Sequence, residues 1–135
     1  INHGDLQFDS YDFFRTNLSN INPKTKNIFS KRLNRSFLDS FCSMILRTII
    51  SIICLHKVKD FNGQPKIFNK DLIENINSFP DDFTFDLYLY FKTMNDVQFL
   101  PIIERIRKFE SSSWSRSLIK RISIFLSYIS RALKK

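Results

Sequence analysis

The sequence predicts an all-α fold, a single-domain bundle of five to seven helices. Only two of the 135 residues are glycine and four are proline, fewer than loop-rich all-β folds use. Apolar residues recur at spacings of three and four along most of the chain. Residues 36–57 are apolar nearly all round, which is typical of a helix at the centre of a bundle.

The length fits one domain spanning residues 1–135. Because the chain begins with Ile1 rather than Met, we expect a processed product or a piece of a longer chain. Cys42 and Cys54 are twelve residues apart. On a straight helix this spacing is about 18 Å, too far for a disulfide. We therefore expect free thiols and an intracellular, reducing compartment.

A short first helix is predicted over residues 9–18, where Asp9 or Ser10 can accept hydrogen bonds from the free amides of the first turn. The apolar spacing turns three side chains toward the core, and these are Phe13, Phe14 and Leu18. Residues 20–23, Asn-Ile-Asn-Pro, are predicted to interrupt the helical structure before the next helix.

Asn22-Pro23 is typical of a helix start, because proline suits the first helical position. This second helix is predicted to reach about residue 34, with Phe29 and Leu33 on its apolar face. The central helix follows, and a Ser-x-x-Asp capping box favours a new start at residue 36. A β-branched run within it leaves a strand as the alternative over residues 48–53.

Residues 60–65 are predicted to form a loop, because they contain an Asn-Gly pair followed by proline. The Asn62-Gly63 pair favours a tight turn. A small hairpin, in which residues 58–61 pair with residues 66–68, is consistent with that turn, although arms this short would depend on packing elsewhere.

Four more helices are predicted in the second half of the chain, over residues 70–77, 81–91, 97–109 and 114–133. Residues 81–91 also alternate apolar and polar side chains as a strand does, and we favour the helix there. The last helix has the clearest amphipathic pattern. Its predicted apolar side chains are Trp114, Leu118, Ile122, Phe125, Ile129 and Leu133.

The net charge of +8 is concentrated in two blocks, with +7 over residues 23–59 and +7 over residues 101–135 around a middle block of −4. Clustered lysine and arginine side chains can neutralise phosphates. We therefore predict a non-enzymatic domain that binds nucleic acid through basic helix faces, mainly by phosphate contacts. The predicted binding residues are Lys24, Lys26, Lys31, Arg32, Arg35, Arg116, Lys120, Arg121, Arg131 and Lys134.

A protein-interaction or oligomerisation module within a larger assembly is the alternative, since the same basic faces suit an acidic protein partner. A homo-oligomer belongs to this alternative. A basic amphipathic last helix also suits the surface of an anionic membrane. A membrane span is disfavoured, because residues 41–55 give only 15 residues between charges and Arg47 interrupts them.

Arg47 lies in the middle of the predicted central helix, where a charge is costly to bury without a partner. We expect it to be a buried anchor. Its partner is either an acid of the middle of the chain or an external phosphate or carboxylate. The candidate internal partners are Asp82, Asp86 and Glu104.

No cofactor and no metal site is predicted, because the two histidines are 53 residues apart and no Cys-x-x-Cys pair is present. Arg47 and His56 partly resemble the arginine and histidine of HEPN-type ribonucleases, which are small helical bundles. Their spacing of nine residues is longer than in that motif. It places them on opposite faces of a helix, about 13 Å apart along its axis. A HEPN-like ribonuclease is therefore the outsider among the hypotheses, and we expect no enzymatic function.

Overall fold

The computed structural model describes residues 9–72, 79–103 and 118–134. In these ranges four helices pack against a three-stranded mixed sheet, so the fold is α/β. The helices are α1 (Ser10–Asn17), α2 (Phe37–Cys54), α3 (Phe85–Thr93) and α4 (Leu118–Leu133). The strands are β1 (Asn27–Leu33), β2 (Lys66–Ile67) and β3 (Val97–Ile103), and a 3₁₀ turn (Leu18–Asn20) follows α1.

The all-α prediction is wrong because two predicted helices contain strands. Residues 23–34 and 97–109 were each expected to be helical, whereas β1 and β3 lie within them and run parallel to each other. Phe29 and Phe99 occupy paired positions, with ring centroids 5.9 Å apart. Pairing between segments so far apart in sequence outweighs a local helical spacing. Pro101 sits on β3, an outer strand of the sheet, where its missing N–H is tolerated.

The predicted hairpin is also wrong, because β2 pairs antiparallel with β1 rather than with residues 58–61. The strand order is β2-β1-β3. The turn before β2 lies directly on β1. A Cβ on Gly63 would overlap the backbone of Ser30, and the Ser30 hydroxyl donates to the Pro65 carbonyl at 2.7 Å. Only glycine allows this close approach.

Two apolar clusters form the core, on opposite faces of the sheet. Phe13 of α1 packs with Ile28, Leu100 and Ile102 on one face. Alternate strand residues point the other way. The larger cluster on that second face contains Phe29, Leu46, Ile50, Val58, Phe61, Leu87, Leu89, Tyr90, Tyr128 and Ala132. Helices α2, α3 and α4 therefore share one core, and α1 closes the other face.

The terminal helices bury different side chains from those predicted. In α1 the Asp9 carboxylate caps the helix as one of the two predicted caps, but Phe14 and Leu18 are exposed and only Phe13 is buried among its predicted apolar face. Among the described residues of α4, Tyr128 and Ala132 are buried. Of the predicted stripe, Phe125 packs partly buried against the larger cluster and Ile129 is half-buried, whereas Ile122 and Leu133 are exposed. The small Ala132 side chain lets neighbouring helices approach closely. The buried Tyr128 has a partner for its hydroxyl, which donates to the Asn62 side chain at 3.3 Å. The side chains of Trp114 and Leu118 lie outside the described residues.

The central helix is present as α2, with the predicted cap. The Ser36 hydroxyl accepts the Asp39 N–H at 3.2 Å, and Leu55 ends the helix in a left-handed conformation with φ 51°. Residues 81–91, for which a helix was favoured, are helical from Phe85 onward. Of the predicted helix 70–77, residues 70–72 form a short turn and the rest lies outside the described residues, as do residues 104–117.

Candidate functional site

Helix α2 has an inward face that belongs to the core and an outward face that does not. Only Leu46 and Ile50 are buried among its 18 residues. Phe37 is 81% exposed and Ile52 is 68% exposed. We define the outward face by its exposed residues Phe37, Leu38, Phe41, Met44, Ile45, Thr48 and Ile52. The sequence predicted that this helix lies at the centre of a bundle with nearly all of its circumference apolar, and the predicted central burial is wrong for the outward face.

The outward face is a continuous apolar strip. At 100° per residue its seven side chains fall within an arc of about 120° and extend over about 22 Å of the helix. None of them is charged. Within the described ranges, α2 is the one helix long and apolar enough to cross a membrane by length and composition. Its inward face nevertheless packs against protein, with Ile50 fully buried.

The chain reverses direction where α2 ends. The His56 N–H donates to the Ser51 carbonyl at 3.2 Å, and the Val58 N–H donates to the Ser51 hydroxyl at 2.9 Å. That hydroxyl in turn donates to the Arg47 carbonyl at 2.6 Å. These three bonds hold residues 56–58 against the last turns of the helix.

The reversal creates a depression of about 530 Å³ beside the end of α2, which we call the terminal depression. Its cationic or titratable side chains are Arg47, His56 and Lys57. It is also lined by Met44, Thr48, Ser51, Ile52, Leu55 and Val58. On an uninterrupted helix Arg47 and His56 would lie on opposite faces. Because α2 ends at Cys54, the structure instead brings both side chains to one site.

Arg47 is half-buried in this depression rather than fully buried. Its Nε donates to the Ser43 carbonyl at 3.2 Å. Neither of the predicted acids within the described residues pairs with it. Asp86 pairs with Lys66 at 2.6 Å, and Asp82 accepts the Thr84 N–H at 2.8 Å. Glu104 lies outside the described residues. The terminal depression therefore contains an arginine that is not neutralised by any described carboxylate.

The predicted nucleic-acid-binding residues are distributed over a loop, a strand and a helix. The first group lies before, on and just after β1 instead of on a basic helix. Five of the ten side chains are exposed, and these are Lys24, Lys26, Lys31, Lys120 and Lys134. Arg32, Arg35 and Arg131 bond to Asp60, Ser43 and Thr84, respectively. Arg121 is half-buried, and Arg116 lies outside the described residues.

Two ion pairs lie inside the fold, Arg32 with Asp60 and Lys66 with Asp86. We call these four residues the inner polar cluster. Arg32 donates twice to Asp60, at 2.6 and 3.0 Å. Burial alone would raise the pKa of Asp60, but the hydrogen bonds and charge of Arg32 outweigh it, and the pKa lies below its ordinary value. Lys66 is wholly buried, and its ammonium group lies 5.4 Å from the centre of the Phe29 ring.

Desolvation governs the ionisation of the buried groups around this cluster. Burial lowers the pKa of Lys66, and the nearby Asp86 carboxylate opposes that change. Burial also raises the pKa of the Tyr128 hydroxyl. Sequence reasoning missed the cluster. The signal was a single lysine between Pro65 and Ile67, in a segment otherwise suited to burial.

A larger groove of about 610 Å³ runs along α4 but suits an anion less well. It is lined by Asp82, Thr84, Ile119, Ile122, Ser123, Leu126, Ser127, Ser130, Arg131 and Lys134. Arg131 already donates to the Thr84 hydroxyl at 3.1 Å. That hydroxyl also bonds to the Asp82 carboxylate, which would repel an anion bound nearby.

Within the described ranges, no group of three or more histidine, cysteine or acidic side chains is placed to hold a metal ion. Comparison with protein-family models, curated protein sequences and solved structures found no match to this chain. A HEPN-type helical bundle does not fit a fold with a three-stranded sheet. The observations that bear on function are therefore the exposed side chains and charges of the molecular surface.

Proposed function

We propose that this protein binds the surface of anionic membranes, with the outward face of α2 seated among the lipid headgroups and the first acyl carbons. The exposure of that face carries the proposal. Transfer of apolar surface out of water gains about 25 cal/mol per Å². Monomeric proteins rarely expose long contiguous apolar strips except where they dock.

The charges around α2 favour an anionic surface as the occupant. The only acid on the helix, Asp39, is bonded to Ser36 at the helix start. Arg35 lies two residues before the helix, Arg47 lies within it beside the outward face, and Lys57 follows its end. An apolar helix face bordered by cations is the arrangement by which peripheral proteins bind anionic lipid. The net charge of +8 acts in the same direction.

The proposed helix lies on the membrane instead of crossing it. A span exposes its whole circumference to lipid, whereas Leu46 and Ile50 pack in the core with Tyr128 and Ala132. Arg47 also lies near the middle of the helix, where insertion costs about 2.5–3.5 kcal/mol. Insertion of the outward face alone keeps Leu46 and Ile50 in the core and does not require Arg47 to enter the hydrocarbon.

Flotation with lipid vesicles tests the proposal. We expect the protein to float with vesicles of phosphatidylcholine and phosphatidylserine, and less with phosphatidylcholine alone. The double variant Phe41→Gln/Ile52→Gln should lose most of this binding. Phe14→Gln/Leu18→Gln, on α1 and the 3₁₀ turn after it, is a matched control, because its side chains are 42% and 70% exposed against 47% and 68% in α2. Equal binding by both variants, or none by the unmodified protein, contradicts the proposal.

Nucleic-acid binding is a second candidate function, which we infer from the five exposed lysines of the predicted set: Lys24, Lys26, Lys31, Lys120 and Lys134. Phosphate contacts of this kind weaken steeply with salt. A fluorescence titration with RNA and DNA at several salt concentrations tests it, and no affinity at low salt rejects it. A stable oligomer in light scattering, with neither lipid nor nucleic-acid affinity, would instead favour the protein-interaction module.

A further inference from the structure

The terminal depression is lined by side chains that carry hydrogen-bond donors. Arg47 comes from the helix, and His56 and Lys57 come from the reversed chain after it. Because the Arg47 Nε is bonded to the Ser43 carbonyl, the guanidinium is held at its base while its two terminal nitrogens remain as donors. Two parallel N–H groups match the oxygen spacing of a phosphate better than a single ammonium does.

The charge of the site is positive after the helix dipole is included. The C-terminus of a helix carries about −0.5 of an elementary charge. Arg47 and Lys57 supply two permanent cations, and no carboxylate is among the residues that line the depression. Two carbonyls at the helix end are also hydrogen-bonded, since Ser51 accepts from His56 and Ile52 accepts from Leu55. The two cations therefore attract an anion although it would lie at the negative end of the α2 dipole.

The apolar lining shows which kind of anion the site suits. Met44 and Ile52 belong to the outward face and also line the depression, and Leu55 beside them is 94% exposed. A free phosphate would gain nothing from these side chains. A phosphate attached to acyl chains would place its charge at the cations and its first carbons against the apolar side chains.

We propose that the terminal depression binds the phosphate of a lipid headgroup, and that it prefers a phosphomonoester lipid such as phosphatidic acid. A phosphomonoester carries more charge and more free oxygens than the phosphodiester of phosphatidylserine. The inference rests on the proposed function, because the outward face must first bring the depression to the lipid surface.

Vesicle flotation with two anionic lipids tests this inference. Phosphatidic acid and phosphatidylserine are each mixed with phosphatidylcholine at matched surface charge. We expect tighter binding to phosphatidic acid. In Arg47→Gln/Lys57→Gln that preference should fall by about tenfold. The control Lys26→Gln/Lys31→Gln removes two exposed cations elsewhere and should keep the preference. Arg47→Lys retains the charge without the planar guanidinium, so it should reduce the preference without disturbing folding.

The outcomes separate the two proposals. If the unmodified protein binds both anionic vesicles equally, or if Arg47→Gln/Lys57→Gln keeps the preference, this inference is overturned and membrane binding stands. If the protein binds no vesicle, the proposed function itself fails. An excess of free inorganic phosphate should compete poorly with phosphatidic acid vesicles, and full competition would mean that the acyl carbons contribute nothing, against the inference.

Discussion

The inner polar cluster and the outward face of α2 differ in whether their side chains find partners within the described residues. In the cluster each cation has an acid at 2.6 Å, Arg32 with Asp60 and Lys66 with Asp86. On the outward face the apolar side chains meet no core, and the neighbouring Arg47 meets no described carboxylate. One region is complete within the chain. The other leaves its apolar side chains exposed within the described residues.

This difference indicates which charges are available for function. Counting lysines and arginines gives two equal basic blocks, but several of those charges are already committed inside the fold. Arg32 stabilises a loop against β1, and Arg131 connects α4 to Thr84. Arg47, which the sequence suggested as a buried anchor, lies half-buried at the edge of the apolar strip. The comparison makes three predictions about stability.

Breaking the inner polar cluster should have the largest effect. Lys66→Ala leaves the Asp86 carboxylate partly buried without its cation, and we expect the free energy of unfolding to fall by about 3–5 kcal/mol. Urea denaturation measures it. Replacing both partners, as Lys66→Met/Asp86→Leu, should recover most of the loss because no charge is left unpaired. A double variant as unstable as Lys66→Ala would show that the pair itself is not the cause.

The two faces of α2 should respond differently to the same truncation. Ile50→Ala removes a fully buried side chain and should lower the free energy of unfolding by about 2–5 kcal/mol. Ile52→Ala, two residues away and 68% exposed, should change it by no more than about 0.5 kcal/mol. Thermal or urea unfolding compares them. Equal losses would mean that the outward face is covered within the chain, which would contradict the account.

Acid should reveal the Arg32–Asp60 pair through a smaller effect. Since the pKa of Asp60 is lowered in the folded protein, the pair contributes its stability above the ordinary carboxyl pKa and loses it as pH falls through the folded value. Below about pH 4 the unmodified protein should therefore lose stability more steeply than Asp60→Asn, which does not titrate there. Unfolding measured from pH 6 to pH 2.5 compares the two slopes. Parallel curves would rule out the contribution.

The sequence was most informative where a local signal acts within one helix. The capping box at Ser36 predicted the start of α2, and a helix was favoured over residues 81–91, which contain α3, because such signals lie within a few residues. The strands depend on partners far along the chain, since Phe29 pairs in register with Phe99 and Lys66. A single window of sequence contains no such partner, so its helical spacing was misleading.

Of the candidate site, the sequence singled out Arg47 but identified neither Lys57 nor the geometry. Arg47 was identified from the cost of an arginine in an apolar helix. Its meeting with His56 depends on the left-handed Leu55, which ends α2 earlier than predicted and returns the chain across it. The exposure of Ile52 could not be predicted either. An apolar periodicity identifies the apolar face of a helix but not whether another part of the protein packs against it.

The most direct test of the account is the environment of α2 when lipid is present. Thr48 is exposed in the middle of the outward face, so Thr48→Cys can hold an environment-sensitive fluorophore without removing an apolar side chain. Cys42 and Cys54, which form no disulfide, are first replaced by alanine. Thr16→Cys, exposed on α1, is the control. Vesicles containing anionic lipid should shift the emission at position 48 to the blue and leave position 16 unchanged. No shift at position 48 while the protein floats with the vesicles would contradict docking through α2.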